Sequence, residues 1–381
     1  MNKDDTQKIY YVDGLCGSGK THGLGSYIKQ SKLIKKFIIT TPSTLLANQI
    51  ATQLEQQGIM NCAAIYSDNR RHTSVISRIM QEISHINRIG QGVIICTKQA
   101  FSLLAFIENK SSWSLIVDEI PRVDTFDALS LPNNYEVLSQ YVSVGKEIIG
   151  TSLCEAKPTN KNIKPNFDSV DELFRPLIDA INNKDFHCYL DKPNWDKLVV
   201  RHQVTKDSHS DSLYGNERNQ LFFLSMLQPT LYQGFAQVIM MGANFTQSLL
   251  YAYWSDHCNV VFEPFTEIMQ HLRYNEYKNG DRLSIYYLQE SHFSKYTASK
   301  VINGKSCLEH FAGLVTDFMG DETFIYMTNN SDTTEFSNGI KAPTISHGMN
   351  KFSNIHRVYF SPALNNPPKH NKMLNALGFD V

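Results

Sequence analysis

The sequence predicts an α/β fold with a parallel sheet, and three observations predict it. Short apolar runs alternate with helix-like stretches over about the first 125 residues. The first such run leads into Gly14-Leu15-Cys16-Gly17-Ser18-Gly19-Lys20-Thr21, which fits the phosphate-binding pattern G-x-x-x-x-G-K-[ST]. A later run ends in two adjacent carboxylates, Asp118-Glu119. Strand–helix alternation implies crossover connections, and hence a parallel sheet with helices on both faces. Ligands in such sheets bind beyond the carboxyl ends of the strands.

Lys8 to Val12 is an apolar and aromatic run that reads as the first strand, and a helix is expected from Thr21 to Lys29. In this strand–loop–helix setting the glycines turn backbone N–H groups toward phosphates. Lys20 reaches the β/γ-phosphates, and the Thr21 hydroxyl ligates Mg²⁺. Phe37–Thr41 is a strand stopped by Pro42, and Ser43 is placed to cap a helix that Gly58 ends. Cys62–Tyr66 is a short strand. Val75, Ile76, Ile79, Ile83 and Ile86 have helical spacing within 73–87. Gly92–Cys96 is a buried strand followed by a helix over 99–108, and Ser114–Val117 is the strand that delivers Asp118 and Glu119. There Asp118 would hold Mg²⁺, while Glu119 would orient and deprotonate a water. The P-loop, Thr41-Pro42-Ser43, Thr97 and Asp118-Glu119 are expected along one sheet edge.

Composition narrows the function classes. With 381 residues the chain can hold two or three domains. A net charge of −1, with 19% charged residues, excludes a basic nucleic-acid coat but leaves room for a local basic groove. The seven cysteines are scattered, with no C-x-x-C pair, which suits reduced thiols in a cytoplasmic compartment. Met1–Gln7 is polar and has no apolar core of a signal peptide. No apolar run reaches the ~20 residues of a membrane helix, so no membrane partner is expected.

Gly17–Thr21, Thr41–Ser43 and Asp118-Glu119-Ile120-Pro121 resemble motifs I, Ia and II of superfamily 2 DExx-box helicases, most like phage- or plasmid-encoded members. Ile95–Ala100, with Thr97 and Lys98, resembles the further nucleic-acid-contacting motif that precedes motif II. Gly242-Ala243-Asn244, after the strand Val238–Met241, resembles motif III, which links the ATP site to the nucleic-acid face. Ile345–Phe352 resembles motif V, whose Gly348-x-Asn350 segment would face the nucleotide. The resemblance implies two RecA-like domains and the cofactors ATP and Mg²⁺. It implies a single-stranded nucleic-acid partner, DNA rather than RNA, gripped through phosphates by Thr41, Pro42, Ser43, Thr97 and Lys98. Replication, recombination or defence proteins are the protein partners it suggests.

Domain 1 is expected over 1–275, with an insertion at about 132–236 where the alternation weakens. Phe167–Asn183 reads as a helix within it, with Leu173, Leu177 and Ile178 on one face. Arg273–Arg282 is the expected linker and 281–381 the second domain, with strands at 283–288, 323–328 and 358–360 and a helix at 307–318. No Q-x-x-R or H-x-x-R segment follows Val358, so the arginine of motif VI is missing. The second domain is therefore expected to be truncated or naturally short, with low ATPase activity. Two alternatives stand beside the motor: a nucleotide-gated recruitment module without unwinding, and a terminase-like packaging ATPase. The latter needs clustered carboxylates, and the C-terminal third has scattered ones, Asp281, Asp317, Asp321 and Glu322.

Overall fold

The structure, a computed structural model, describes residues 7–31, 34–67, 73–130, 138–159, 171–196, 220–290, 293–329, 332–344, 352–362 and 364–380. The chain forms two units, residues 1–275 with 366–381, and residues 276–365.

The first unit opens with β1 (Lys8–Asp13), α1 (Lys20–Gln30), β2 (Lys36–Thr41), α2 (Thr44–Gln56), β3 (Cys62–Ile65), α3 (Val75–Ile89), β4 (Gly92–Thr97), α4 (Lys98–Ser102) and β5 (Ser114–Asp118). It then makes an excursion through β6 (Asp124–Ser130), β7 (Val142–Glu147), β8 (Leu153–Pro158), α5 (Asp171–Asn182), β9 (Phe186–Asp191) and β10 (Gln220–Leu227). The chain returns through β11 (Gln237–Gly242), α6 (Leu249–Cys258) and β12 (Val261–Pro264). Seven strands form one parallel sheet in the order β12-β1-β11-β5-β2-β4-β3.

Strands buried on both faces read as continuous apolar runs, and alternate residues serve opposite cores. Ile38, Ile94, Leu115 and Met240 face one core with Ile79, Ile83 and Ile86 of α3 and with Tyr253 and Trp254 of α6. Ile39, Ile95, Ile116 and Met241 face the other with Leu24 and Tyr27 of α1 and Leu46, Ile50 and Leu54 of α2. Ser43 caps α2 as its sequence position predicts, accepting from the Leu46 N–H at 3.2 Å. The helix expected at 99–108 is shorter. It ends at Ser102; Leu103 and Phe106 face solvent, while Leu104 and Ile107 reach the core from the irregular chain that follows.

The excursion is a five-stranded antiparallel sheet in the order β6-β10-β9-β8-β7. It leaves after β5 and returns at β11, which are neighbours in the parallel sheet. Its strands span 124–227, against the 132–236 read from the weakened alternation. Residues Leu221 and Phe223 of β10 meet Phe174, Leu177 and Ile178 of α5, while Phe222, Leu224 and Met226 join the core of the parallel sheet.

The second unit contains β13 (Val301–Ile302), β14 (Lys305–Ser306), α7 (Cys307–Met319), β15 (Phe324–Met327), β16 (Gly339–Lys341) and β17 (Val358–Phe360). The last three strands pair in parallel in the order β16-β15-β17. A capping box of Ser306 and Glu309 starts α7. The strand expected at 283–288 does not form. Ile285, Tyr286 and Tyr287 are more than 70% exposed, and among the described residues no neighbouring strand supplies hydrogen bonds. The helix α8 (Pro368–Ala376) belongs to the first unit, because Met373, Leu374, Leu377 and Phe379 are buried in its core. The second domain read as 281–381 is thus divided between the units.

Candidate active site

The sheet register brings the strand ends together. Asp13 pairs with Gly242, Met241 with Asp118, and Thr41 with Thr97. One carboxyl edge therefore carries the start of the P-loop, the acidic pair, the Gly242 turn and both threonines.

The P-loop is tied to the next strand by the Gly14 N–H, which donates to the Gly242 carbonyl at 2.9 Å. Gly17 and Gly19 adopt φ of 77° and 87°, the left-handed region that a side chain strains. Gly19 is the N-cap of α1, and no acidic residue occupies the first turn of that helix, so its N–H groups and dipole are left to an anion. Lys20 begins α1 and is largely buried. Its ammonium donates to the Gly14 carbonyl at 2.9 Å and the Leu15 carbonyl at 3.2 Å. The Ser18 hydroxyl is fully buried and has no hydrogen-bond partner among the described residues. A buried lysine held by weak carbonyl acceptors, beside an unsatisfied hydroxyl, is a donor set that fits phosphate oxygens.

Asp118 ends β5 and is buried. Burial first, and the neighbouring Glu119 second, push its carboxyl up to about 7 against the pull of Lys98 and Lys20. Glu119 sits at φ 65°, which is uncommon for a residue with a side chain. The Lys98 ammonium donates to the Glu119 carbonyl at 2.7 Å, and burial pushes that lysine down to about 8 despite attraction to both carboxylates. A cation held inward in this way is not a free surface contact for nucleic-acid phosphates. Gly242 is required by close approach, because a Cβ there would collide with the Ile120 side chain. Asn244 also adopts a left-handed φ, 54°, and is exposed.

The Thr41 hydroxyl donates to the Ser43 carbonyl at 2.9 Å, and Thr97 caps α4 by accepting from the Ala100 N–H at 3.2 Å. Pro42 lies between Thr41 and Ser43 in the chain. Gly348 and Asn350 lie outside the described residues. Thr21 is in the first turn of α1 and partly exposed. Among the described residues no group of three or more His, Cys, Asp or Glu side chains is placed to hold a metal ion. One carboxylate and one hydroxyl, Asp118 and Thr21, suit Mg²⁺, which keeps waters and takes further oxygens from bound phosphates.

Two contributors to the site were missed in the sequence. Tyr274 donates its hydroxyl to the Cys16 carbonyl at 3.0 Å, and the Arg273 N–H donates to the Ser18 carbonyl at 2.8 Å. A Cβ on Gly17 would lie 2.8 Å from the Tyr274 hydroxyl, and one on Gly19 would lie 3.2 Å from Cγ of Arg273. A cavity of about 540 Å³ opens beside this contact, lined by Asp13, Gly14, Leu15, Leu272, Arg273 and Asn275 among others. Both residues fall at the start of the stretch read as a linker, more than 250 positions after the loop they touch, and no local pattern marks them.

No family profile matches the chain, and no curated protein matches it. Solved structures similar to it include the following. One is the E. coli DEAD-box protein SrmB bound to regulator of ribonuclease activity A (RraA), at 17% identity and a TM-score of 0.24. That match covers 31% of this chain and 62% of the other, so this chain spans less than two thirds of it. The second is an XPD helicase, at 9% identity and a TM-score of 0.35, covering 93% of this chain and 76% of that one.

Proposed function

We propose that this chain is an ATP- and Mg²⁺-dependent translocase or helicase acting on single-stranded nucleic acid, DNA in preference to RNA. The observation that carries the proposal is the register that lines up the P-loop, Asp118-Glu119, Thr41 and Thr97 along one carboxyl edge. Lys20 would exchange its bonds to Gly14 and Leu15 for the terminal phosphates, with Ser18 as a further donor. Asp118 and Thr21 would hold Mg²⁺, which supplies charge neutralisation for the phosphates. Glu119 would orient the attacking water and accept its proton. The segments after Thr41 and Thr97 would take the phosphates of the strand, and the Gly242–Asn244 turn would relay nucleotide state. No helix among the described residues is long and apolar enough to cross a membrane. A cytoplasmic setting with replication, recombination or defence proteins as partners belongs to the same proposal.

The second reading is a nucleotide-gated recruitment module. It is favoured by one observation, the hold of Lys20 and Tyr274 on P-loop carbonyls, which a nucleotide would have to release. Displacement of streptavidin from biotin-ended single strands separates the two. The motor reading expects ATP-driven displacement on DNA, slower on RNA, and none with a non-hydrolysable analogue. Strand binding without displacement would favour the recruitment module, and failure to bind either strand would refute the proposal.

A further inference from the structure

Glu119 is held in an unfavourable backbone conformation by a side chain from another strand end. At φ 65° a residue with a Cβ is strained, and such a conformation persists only where the surroundings impose it. Two contacts do so. Ile120 fills the space left by the missing Cβ of Gly242, and Lys98 donates its ammonium to the Glu119 carbonyl at 2.7 Å. Lys98 directly follows Thr97, the register partner of Thr41, so the residue beside one expected strand contact grips the residue beside Asp118. A lysine in a solvated phosphate grip would project outward. This one turns inward to a carbonyl.

We infer that Lys98 is a positioning residue that fixes the backbone of Glu119, and with it the direction of the carboxylate, and links the Thr97 edge to hydrolysis. The inference rests on the proposed role of Glu119 as the base. Its structural half, the hold on the Glu119 backbone, does not depend on that role. Without the ammonium, Glu119 is released toward negative φ and its carboxylate is redirected, while the P-loop that binds nucleotide is untouched.

Lys98→Met keeps the apolar stem and removes the donor; Lys98→Arg keeps a donor. For Lys98→Met we expect kcat for ATP to fall about 10–100-fold, part of the 10²–10⁴ that a placed general base supplies. KM for ATP and the affinity for single-stranded DNA measured without nucleotide should stay within about twofold, and Lys98→Arg should recover much of the loss. A Lys98→Met kcat within about twofold of the parent protein would overturn the inference. So would a loss of DNA affinity with full kcat at saturating DNA, which would make Lys98 a phosphate contact. Amide hydrogen exchange over residues 114–122 tests the hold without any need for turnover. Exchange at Glu119 and Ile120 should quicken about tenfold or more in Lys98→Met. Unchanged exchange would refute the hold, whereas faster exchange in a protein whose parent has no ATPase would refute only the role of Glu119. If Lys98→Met does not fold, Lys98→Leu, which also removes the donor, is measured in its place against the same outcomes.

Discussion

Asp118→Asn should make the nucleotide-free protein more stable while abolishing its chemistry. Asp118 is buried at the end of β5, and burial together with Glu119 pushes its carboxyl from 3.8 to about 7. At 1.36 kcal/mol per pKa unit this rise corresponds to roughly 4 kcal/mol, and relaxation around the charge lowers the observable effect to about 2–4 kcal/mol. Asp118 binds its proton more tightly in the folded chain than in the unfolded one. Its contribution to stability is therefore fully present below about pH 4 and is lost as the pH rises through about 7. Asparagine imitates the protonated carboxyl at every pH. Thermal unfolding in EDTA without nucleotide should place Asp118→Asn roughly 4–16 °C above the parent protein at pH 8, at 2–4 °C per kcal/mol for a domain of this size. The gap should narrow markedly by pH 5. Equal melting temperatures at pH 8, or a gap that is the same at pH 5 and pH 8, would refute the reasoning that this site bears an uncompensated buried carboxylate in the absence of a cation.

Ser43→Ala removes the cap of α2 and should cost about 1 kcal/mol in urea unfolding, whereas Ser43→Gly should cost only a few tenths. Gly242→Ala should lower stability by about 1–3 kcal/mol through collision with Ile120, and Ile120→Ala in the same chain should restore much of it in a thermal melt. Tyr274→Phe deletes the bond to the Cys16 carbonyl, so amide exchange of residues 14–19 should quicken in the nucleotide-free protein while the melting temperature holds.

The parallel sheet was legible because its strands are apolar on both faces and end in turn signals. Ile38-Ile39 and Ile94-Ile95 serve opposite cores, and either pair alone announces a doubly covered strand. The P-loop and Asp118-Glu119 were legible as local patterns, since phosphate binding requires glycines and a lysine at fixed spacing. The antiparallel excursion was not, because β6 pairs with β10 some 90 residues later and pairing over that distance leaves no local mark. Residues 283–288 are almost all apolar or aromatic, as a strand would be, yet composition cannot supply a neighbouring edge. Pro368–Ala376 was assigned by position, while its Met373 and Leu374 pack into the first unit. Lys98 shows the same limit within the site: the sequence places a cation at a strand end, and only packing turns it inward to Glu119.

The central claim is that the carboxyl edge of the parallel sheet couples nucleotide hydrolysis to a bound strand. Steady-state ATP turnover with and without single-stranded DNA tests it most directly, for the parent chain, Lys20→Ala and Glu119→Gln. Turnover stimulated by DNA is expected in the parent chain, with loss of nucleotide binding in Lys20→Ala and retained binding without turnover in Glu119→Gln. ATP binding with no hydrolysis in the parent chain, or hydrolysis indifferent to DNA and to Glu119→Gln, would contradict it.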